Sequence, residues 1–533
     1  MNHRWFKSIG LILLVAIAIR AIALLYFEGD VHDGQTRILT AMQWLENGVP
    51  FFGRTMWPEG NYLLPAAILW IWPDTFWAPR LLYATVAISN IWLAFLLADE
   101  VFGRKSAVVT GWIVALMPYH ILASANSAMS ELPYISLILA AVLFAAKHAR
   151  TPRLQYAAAA GICVALASTF RIDGVVWGLP LSLSIALSCW QHRAKAGMFV
   201  GHLFVFGLLG LLYIAAITAK WAQLYPGDVG YILGQAKLNA EQFFAGGTHL
   251  RWPPWLYQTY TIIYWPAAIA VLLTPIVALL GFVGWLPAFR NSAARPIAYG
   301  IAIIMLWLIY ASFTHSILAY WRYALILAVM LSIFVFDGAN RIASRWPRVT
   351  SRTLFSVGAV AALLFQAAVT LVTFKDFGVI TRQLSIASPI RPGQFDSRVV
   401  LNRIREIGGH HQPVLISPHA LEYPYLRLKR IELEKAGTVI AQSYYLPNSQ
   451  LVHTSESLRR ELVEKMQNSD FVVTSMAMRE LGLRDGLSRE LVNPVCTDRT
   501  PVCLWEGIIL RPIERAGTLT LWQVERDQHG RHG

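Results

Sequence analysis

Apolar residues fill the first two-thirds of this chain in blocks too long for strands, separated by short polar connections. Ile9–Phe27, Leu81–Ala98, Ala107–Ala123, Met198–Thr218, Tyr257–Trp285 and Leu354–Phe374 approach or exceed the ~20 residues a helix needs to cross a bilayer. Shorter blocks between them are interrupted by Gly or Pro, which membrane helices tolerate. Asn61–Trp72, "NYLLPAAILWIW", is about a dozen residues long and predicts an interfacial or re-entrant helix instead of a crossing. After Phe374 the pattern changes. The β-branched runs "PVLIS", "GTVIAQSYY", "DFVVTS" and "TLTLWQV" predict strands, and "SESLRRELVEKMQN" predicts an amphipathic helix with Ser455 as its cap. Two regions follow: an α-helical polytopic membrane domain over residues 1–373 and a small α/β domain over 374–533. No fixed-period repeat or low-complexity segment is visible.

Composition supports this division. The chain is 56% hydrophobic and 14% charged, where soluble domains carry about a quarter charged residues. Its net charge of +14 resides, within the membrane half, mostly in short loops. It forms no basic face with interleaved aromatics, so nucleic acid is set aside as a partner. "DEVFGRK", "KHARTPR", "QHRAKAG", "AFRNSAAR" and "DGANRIASRWPRVTSR" are rich in Lys and Arg and are predicted to be cytoplasmic. "SANSAMSE", "THSILAY" and the Lys220–Trp255 loop are poor in both and are predicted to face outward. The alternation holds if Asn61–Trp72 does not cross. It predicts about eleven spans, an inner N-terminus and an extracytoplasmic tail. The expected location is the inner or plasma membrane, with the tail periplasmic in a Gram-negative cell. The first run, flanked by Arg4 and Lys7, lacks a small-x-small cleavage site before "YFEGD" and predicts a retained span.

On that topology several charged groups emerge on one face. Asp30 and Asp33 follow the first span, inside a first extracytoplasmic loop of residues 28 to 80. Glu131 in "SAMSELPY" opens a later span. Arg171 and Asp173 of "TFRIDGVVW", and His315 and Arg322 of "THSILAYWRYALIL", lie at further helix mouths. Ionisable groups at membrane depth are costly and are functional candidates by default. Between them, "QTRILTAMQWLENG" places Ile38, Ala41, Met42 and Leu45 at helical spacing, which predicts a surface helix with its apolar face toward acyl chains. Asp33 reads either as a working carboxylate or as that helix's cap. Arg171 and Asp173 read either as ligand groups or as partners of each other. His32 has no accompanying metal-ligand set, and no cofactor is expected; a divalent ion held by Asp33 and Glu131 is the alternative. Cys163 and Cys189 lie in apolar runs and read as packing residues. In "NPVCTDRTPVC", Cys496 and Cys503 read as a disulfide if the tail is outside, or else as two unpaired thiols.

The order of these features resembles the GT-C superfamily of polyprenyl-phosphate-sugar-dependent glycosyltransferases. The resemblance is strongest to bacterial relatives of the protein O-mannosyltransferases and of the aminoarabinose transferase acting on lipid A. It is carried by Asp33 of "HDGQ", by "WPEGNYLLPAAILWIW", by the outer acid of "SELPYISLILAAVLFAA", by "ASTFRIDG" and by "YWRYALIL", over roughly residues 9–336. Where the family commonly shows an acidic pair, this chain has Asp33-Gly34. The resemblance implies transfer of a sugar from a polyprenyl-phosphate carrier to a glycan, lipid or protein acceptor on the extracytoplasmic face. It implies Asp33 as general base, Glu131 assisting it or positioning the acceptor, and Arg171 and Arg322 on the donor phosphate, with His315 and Asp173 as substrate contacts. The alternative from another class is a transporter or flippase for a lipid-linked or anionic solute, but no matching halves are visible.

Overall fold

The structure, a computed structural model, describes residues 3–26, 32–47, 58–126, 128–224, 254–314, 321–345 and 396–407. In the tail it describes 412–416, 439–443, 467–475, 503–505, 508–516 and 519–526, with isolated positions elsewhere. The helices are α1 (His3–Tyr26), α2 (His32–Asn47), α3 (Gly60–Ile71), α4 (Trp77–Phe102), α5 (Arg104–Leu116), α6 (Pro118–Ala125), α7 (Glu131–Arg150) and α8 (Leu154–Ser168). They continue with α9 (Gly178–Gln191), α10 (Ala196–Leu224), α11 (Pro254–Leu273), α12 (Pro275–Trp285), α13 (Arg295–Phe313), α14 (Leu325–Ser332), α15 (Val335–Arg345) and α16 (Asp396–Ile407).

Six helical segments are long and apolar enough to cross a membrane; counting three bent pairs as single spans gives up to nine among the described residues. The chain is a multi-pass membrane protein. Asn61–Trp72, expected to stand apart from the spans, falls in the separate short helix α3. The Leu354–Phe374 run lies largely outside the described residues.

Helix α7 is the hub, packing against α4, α8 and α9. On α4, Ala87, Ile91, Ala94 and Ala98 recur at helical spacing and are fully buried. Lipid tails are as apolar as these side chains, so association relies on close approach and dispersion instead of escape from water. Small residues permit that approach. Gly161 of α8 is the clearest case, because a Cβ there would overlap the Phe206 carbonyl of α10. Helix α10 itself is peripheral: His202, Phe206, Ile217 and Lys220 are its buried side chains among the described residues.

One expectation is corrected. Half of the apolar face expected of α2 packs on protein instead of turning outward: Ile38 and Ala41 are fully buried in the core, while Leu45 stays exposed. Trp44 instead packs its ring 5.2 Å from that of Tyr62 on α3.

In the tail, the four expected strand runs carry β1 (Gln412–Ile416), β2 (Val439–Ser443), β3 (Phe471–Ser475) and β6 (Leu519–Arg526). Two further strands, β4 (Cys503–Trp505) and β5 (Ile508–Ala516), complete a sheet of order β2-β1-β3-β6-β5-β4. β1 is parallel to β2 and β3, and the remaining pairs are antiparallel. The β5–β6 register slips between Pro512 and Glu514, where a proline cannot supply a ladder N–H. Helix α16 packs on β5 and β6, and Arg398 sits 5.5 Å above the Trp77 ring at the start of α4. The expected helix over Ser455–Asn468 and residue Cys496 lie mostly or wholly outside the described residues, so the sulfur pairing does too.

Candidate active site

Three segments distant in sequence meet at the N-terminal end of α7. Glu131 occupies the first turn of that helix, where the positive end of the helix dipole favours a carboxylate. Its side chain is buried, and Ser130 Oγ donates to Oε2 at 3.2 Å. Arg171 Nη1 donates to Glu131 Oε1 at 3.0 Å, and Arg322 Nε approaches the same oxygen at 3.5 Å.

Arg171 is held from several sides. It sits in extended backbone just before a 3-10 turn over Ile172–Trp177. Its Nε and Nη2 donate to Asp173 Oδ1 and Oδ2 at 3.0 and 3.1 Å, a two-point fork. Its guanidinium lies 4.4 Å from the Tyr323 ring centroid and 5.5 Å from that of Tyr134. Such contacts contribute about 0.5–2 kcal/mol each when desolvated. Trp177 Nε1 donates to the Tyr134 hydroxyl at 2.9 Å and fixes that ring in turn. Burial alone disfavours the charge on Arg171, but Asp173 and Glu131 outweigh it and hold the guanidinium pKa above its ordinary value. Arg322 also donates to the Tyr323 hydroxyl at 3.3 Å.

Helix α2 joins this assembly through Arg37, whose Nη1 donates to the Ala128 carbonyl at 2.7 Å. Ala128 adopts a φ of 52°, a left-handed conformation uncommon for a residue with a Cβ, in the turn that delivers Glu131. Asp33 lies one helical turn before Arg37, so α2 brings its backbone to the same end of the bundle. On the opposite flank, Gly60 N donates to the Thr169 carbonyl at 2.9 Å and Asn61 Nδ2 to the Phe170 carbonyl at 2.7 Å. A Cβ on Gly60 would stand 2.6 Å from Thr169 Oγ1, so glycine is required for α3 to reach the loop carrying Arg171.

Of the residues singled out in the sequence, Glu131, Arg171, Asp173 and Arg322 therefore come together. His315 and Asp30 lie outside the described residues, as does the side chain of Asp33. Arg37 was not singled out, although its place one turn after Asp33 was a usable signal. Tyr323 and Tyr134 were also missed, because rings beside a membrane boundary read as belt residues. The cluster sets the guanidinium groups of Arg171 and Arg322 against the carboxylates of Glu131 and Asp173, with Arg37 holding the Ala128 carbonyl beside them. Glu131 Oε1 is engaged by two of these cations, an arrangement suited to receiving an anion more than to gripping a metal ion.

The fold has counterparts among solved structures. ArnT from Cupriavidus metallidurans, in a crystal structure with bound undecaprenyl phosphate, superposes with a TM-score of 0.54 at 12% sequence identity. The match covers 97% of this chain and 98% of that one. This chain has the ArnT fold. The likeness to GT-C enzymes expected from the sequence is thus borne out at the level of fold. The apo Archaeoglobus fulgidus oligosaccharyltransferase is also similar, with a TM-score of 0.47, 13% identity, and coverage of 90% of this chain and 70% of that one. No family model and no curated protein sequence matches the chain.

Proposed function

We propose that the protein is an integral-membrane glycosyltransferase that moves a sugar from a polyprenyl-phosphate donor to an acceptor on the extracytoplasmic face. The observation that carries this reading is the Glu131–Arg171–Arg322 cluster, with Glu131 and Arg322 buried and Arg171 partly exposed at the mouth of the bundle. Its fold similarity to ArnT, which was crystallised with undecaprenyl phosphate, supports the same substrate class.

The chemistry divides among named groups. The acceptor hydroxyl or amine attacks the anomeric carbon, and Asp33 takes its proton as that bond forms. The bond from the anomeric carbon to the phosphate oxygen breaks, and its electron pair leaves with the polyprenyl phosphate. Arg171 and Arg322 face the developing phosphate charge, where fixed donors in a dry site act most strongly. Glu131 serves as the hub that holds both guanidinium groups in position, and Asp173 fixes the rotation of Arg171. Where the family this sequence resembles commonly shows an acidic pair, Asp33-Gly34 leaves one carboxylate to remove the proton.

The test supplies membranes containing the protein with a radiolabelled polyprenyl-phosphate sugar and a panel of glycan, lipid and peptide acceptors. Label transfer that Asp33→Asn abolishes, at unchanged expression, is the expected result. Undiminished turnover by that variant removes Asp33 as the base. Solute uptake into proteoliposomes without any transfer would establish a transporter instead.

A further inference from the structure

A second cluster of potential ligand side chains lies at the far end of the bundle and has no part in the proposed transfer. His148 is in the last turn of α7, seventeen residues beyond Glu131, which is about 26 Å along a helix. Cys189 is near the end of α9, and His202 is in the second turn of α10. The three side chains converge. His148 Nε2 is 2.9 Å from His202 Nδ1, and Cys189 Sγ is 3.5 Å from that same nitrogen. A ligand atom from each residue lies within 4.8 Å of the other two, and all three residues are buried.

A hydrogen bond between the two imidazoles explains one of these contacts but not the convergence. A shared proton satisfies the nitrogen pair, and a thiol is only a weak donor. The arrangement has the ligand types and spacing of a small metal site. With Zn–N near 2.0–2.1 Å and Zn–S near 2.3 Å, neighbouring ligands of a tetrahedral ion stand about 3.3–3.6 Å apart. The Cys189–His202 separation already matches, and the nitrogen pair needs to open by only about half an ångström to fit that geometry.

We propose that His148, Cys189 and His202 bind a thiophilic d10 metal ion, Zn2+ or Cu+, that ties α10 to α7 and α9. Both ions favour imidazole nitrogen with thiolate sulfur. On the topology predicted from loop charges this end faces the cytoplasm, where a thiol stays reduced. The ion would have a structural task, since α10 buries few of its own side chains and a coordinate bond near its start would fasten it. The proposal is independent of the transferase reading.

The experiment uses full-length protein purified in detergent, stripped with a chelator and titrated separately with Zn2+, with Cu+ under reducing anaerobic conditions, and with Co2+ as a coloured substitute for zinc. The wild type is expected to take up about one equivalent more than Cys189→Ala. Its Co2+ form should show near-ultraviolet thiolate-to-cobalt absorption that Cys189→Ala loses and Cys163→Ala keeps. Metal should also raise the melting temperature of the wild type but not of Cys189→Ala, by the linkage of binding to folding. Uptake of Zn2+ assigns zinc, and uptake of Cu+ alone assigns copper. His202→Gln, which retains a hydrogen-bonding amide, should show the same losses and serves if Cys189→Ala does not fold. Equal uptake of both ions by the wild type and by whichever variant folds overturns the proposal.

Discussion

Lys220 and Glu59, 161 residues apart in the chain, form a buried ion pair in which the lysine Nζ donates to Oε1. The pair joins the C-terminal part of α10 to the residue just before α3. Removing one partner strands a charge in a low-dielectric setting, which costs about 3–5 kcal/mol. Glu59→Gln and Lys220→Met are each expected to lower unfolding stability in detergent by this order. The double variant should recover much of the loss. Additive losses in a double-mutant cycle would show that the two groups do not act as a pair.

At the candidate site, Arg171→Lys replaces a planar fork by a point charge and loses the two-point grip on Asp173. Transfer should fall by about 10²–10³-fold, the usual loss on removing one preorganised donor. Glu131→Gln should reduce transfer comparably, because it releases two guanidinium groups at once. Asp173→Asn should be milder, since Arg171 keeps its contact with Glu131. Steady-state transfer kinetics on the three variants decide the order, and a loss from Asp173→Asn larger than that from Glu131→Gln would contradict the hub role.

The contact between α8 and α10 leaves no room for a side chain at Gly161. Gly161→Ala is expected to destabilise the protein by about 1–3 kcal/mol, as overpacking does. Gly178→Ala is the control, because a Cβ there meets nothing within 4 Å. Thermal unfolding of both variants in the same detergent makes the comparison.

Arg171 also sets an expectation for alkaline pH. Its folded-state pKa is raised by Asp173 and Glu131 against the opposing effect of burial. The stabilisation is therefore fully present below the ordinary arginine range and is lost only as pH rises through the still higher folded value. Donor-phosphate binding, followed up to about pH 10, should show no loss attributable to this group. A loss that vanishes in Arg171→Met would contradict the raised value.

Much of the fold was legible because its signals are local. Long apolar runs, the short "NYLLPAAILWIW" block and the β-branched runs of the tail each report on their own segment. The face of α2 was not legible in the same way. Ile38 and Ala41 have the same spacing whether lipid or protein lies opposite, and only the packed structure decides. Glu131, Arg171, Asp173 and Arg322 were visible because charge is rare within apolar sequence. Arg37, Glu59, Lys220 and the His148–Cys189–His202 group were overlooked because their partners lie far off in the chain, and nothing in a single segment announces such a meeting.

Arg171 carries five N–H hydrogens, and the contacts to Asp173 and Glu131 occupy three of its nitrogens. The two remaining hydrogens sit on the terminal nitrogens of a plane whose tilt is already fixed by aromatic rings. An incoming anion would thus be met along a set bearing, and a head group of equal charge arriving at another angle would find no hydrogens aimed at it. Discrimination among lipid phosphates would then come from direction of approach more than from strength of attraction.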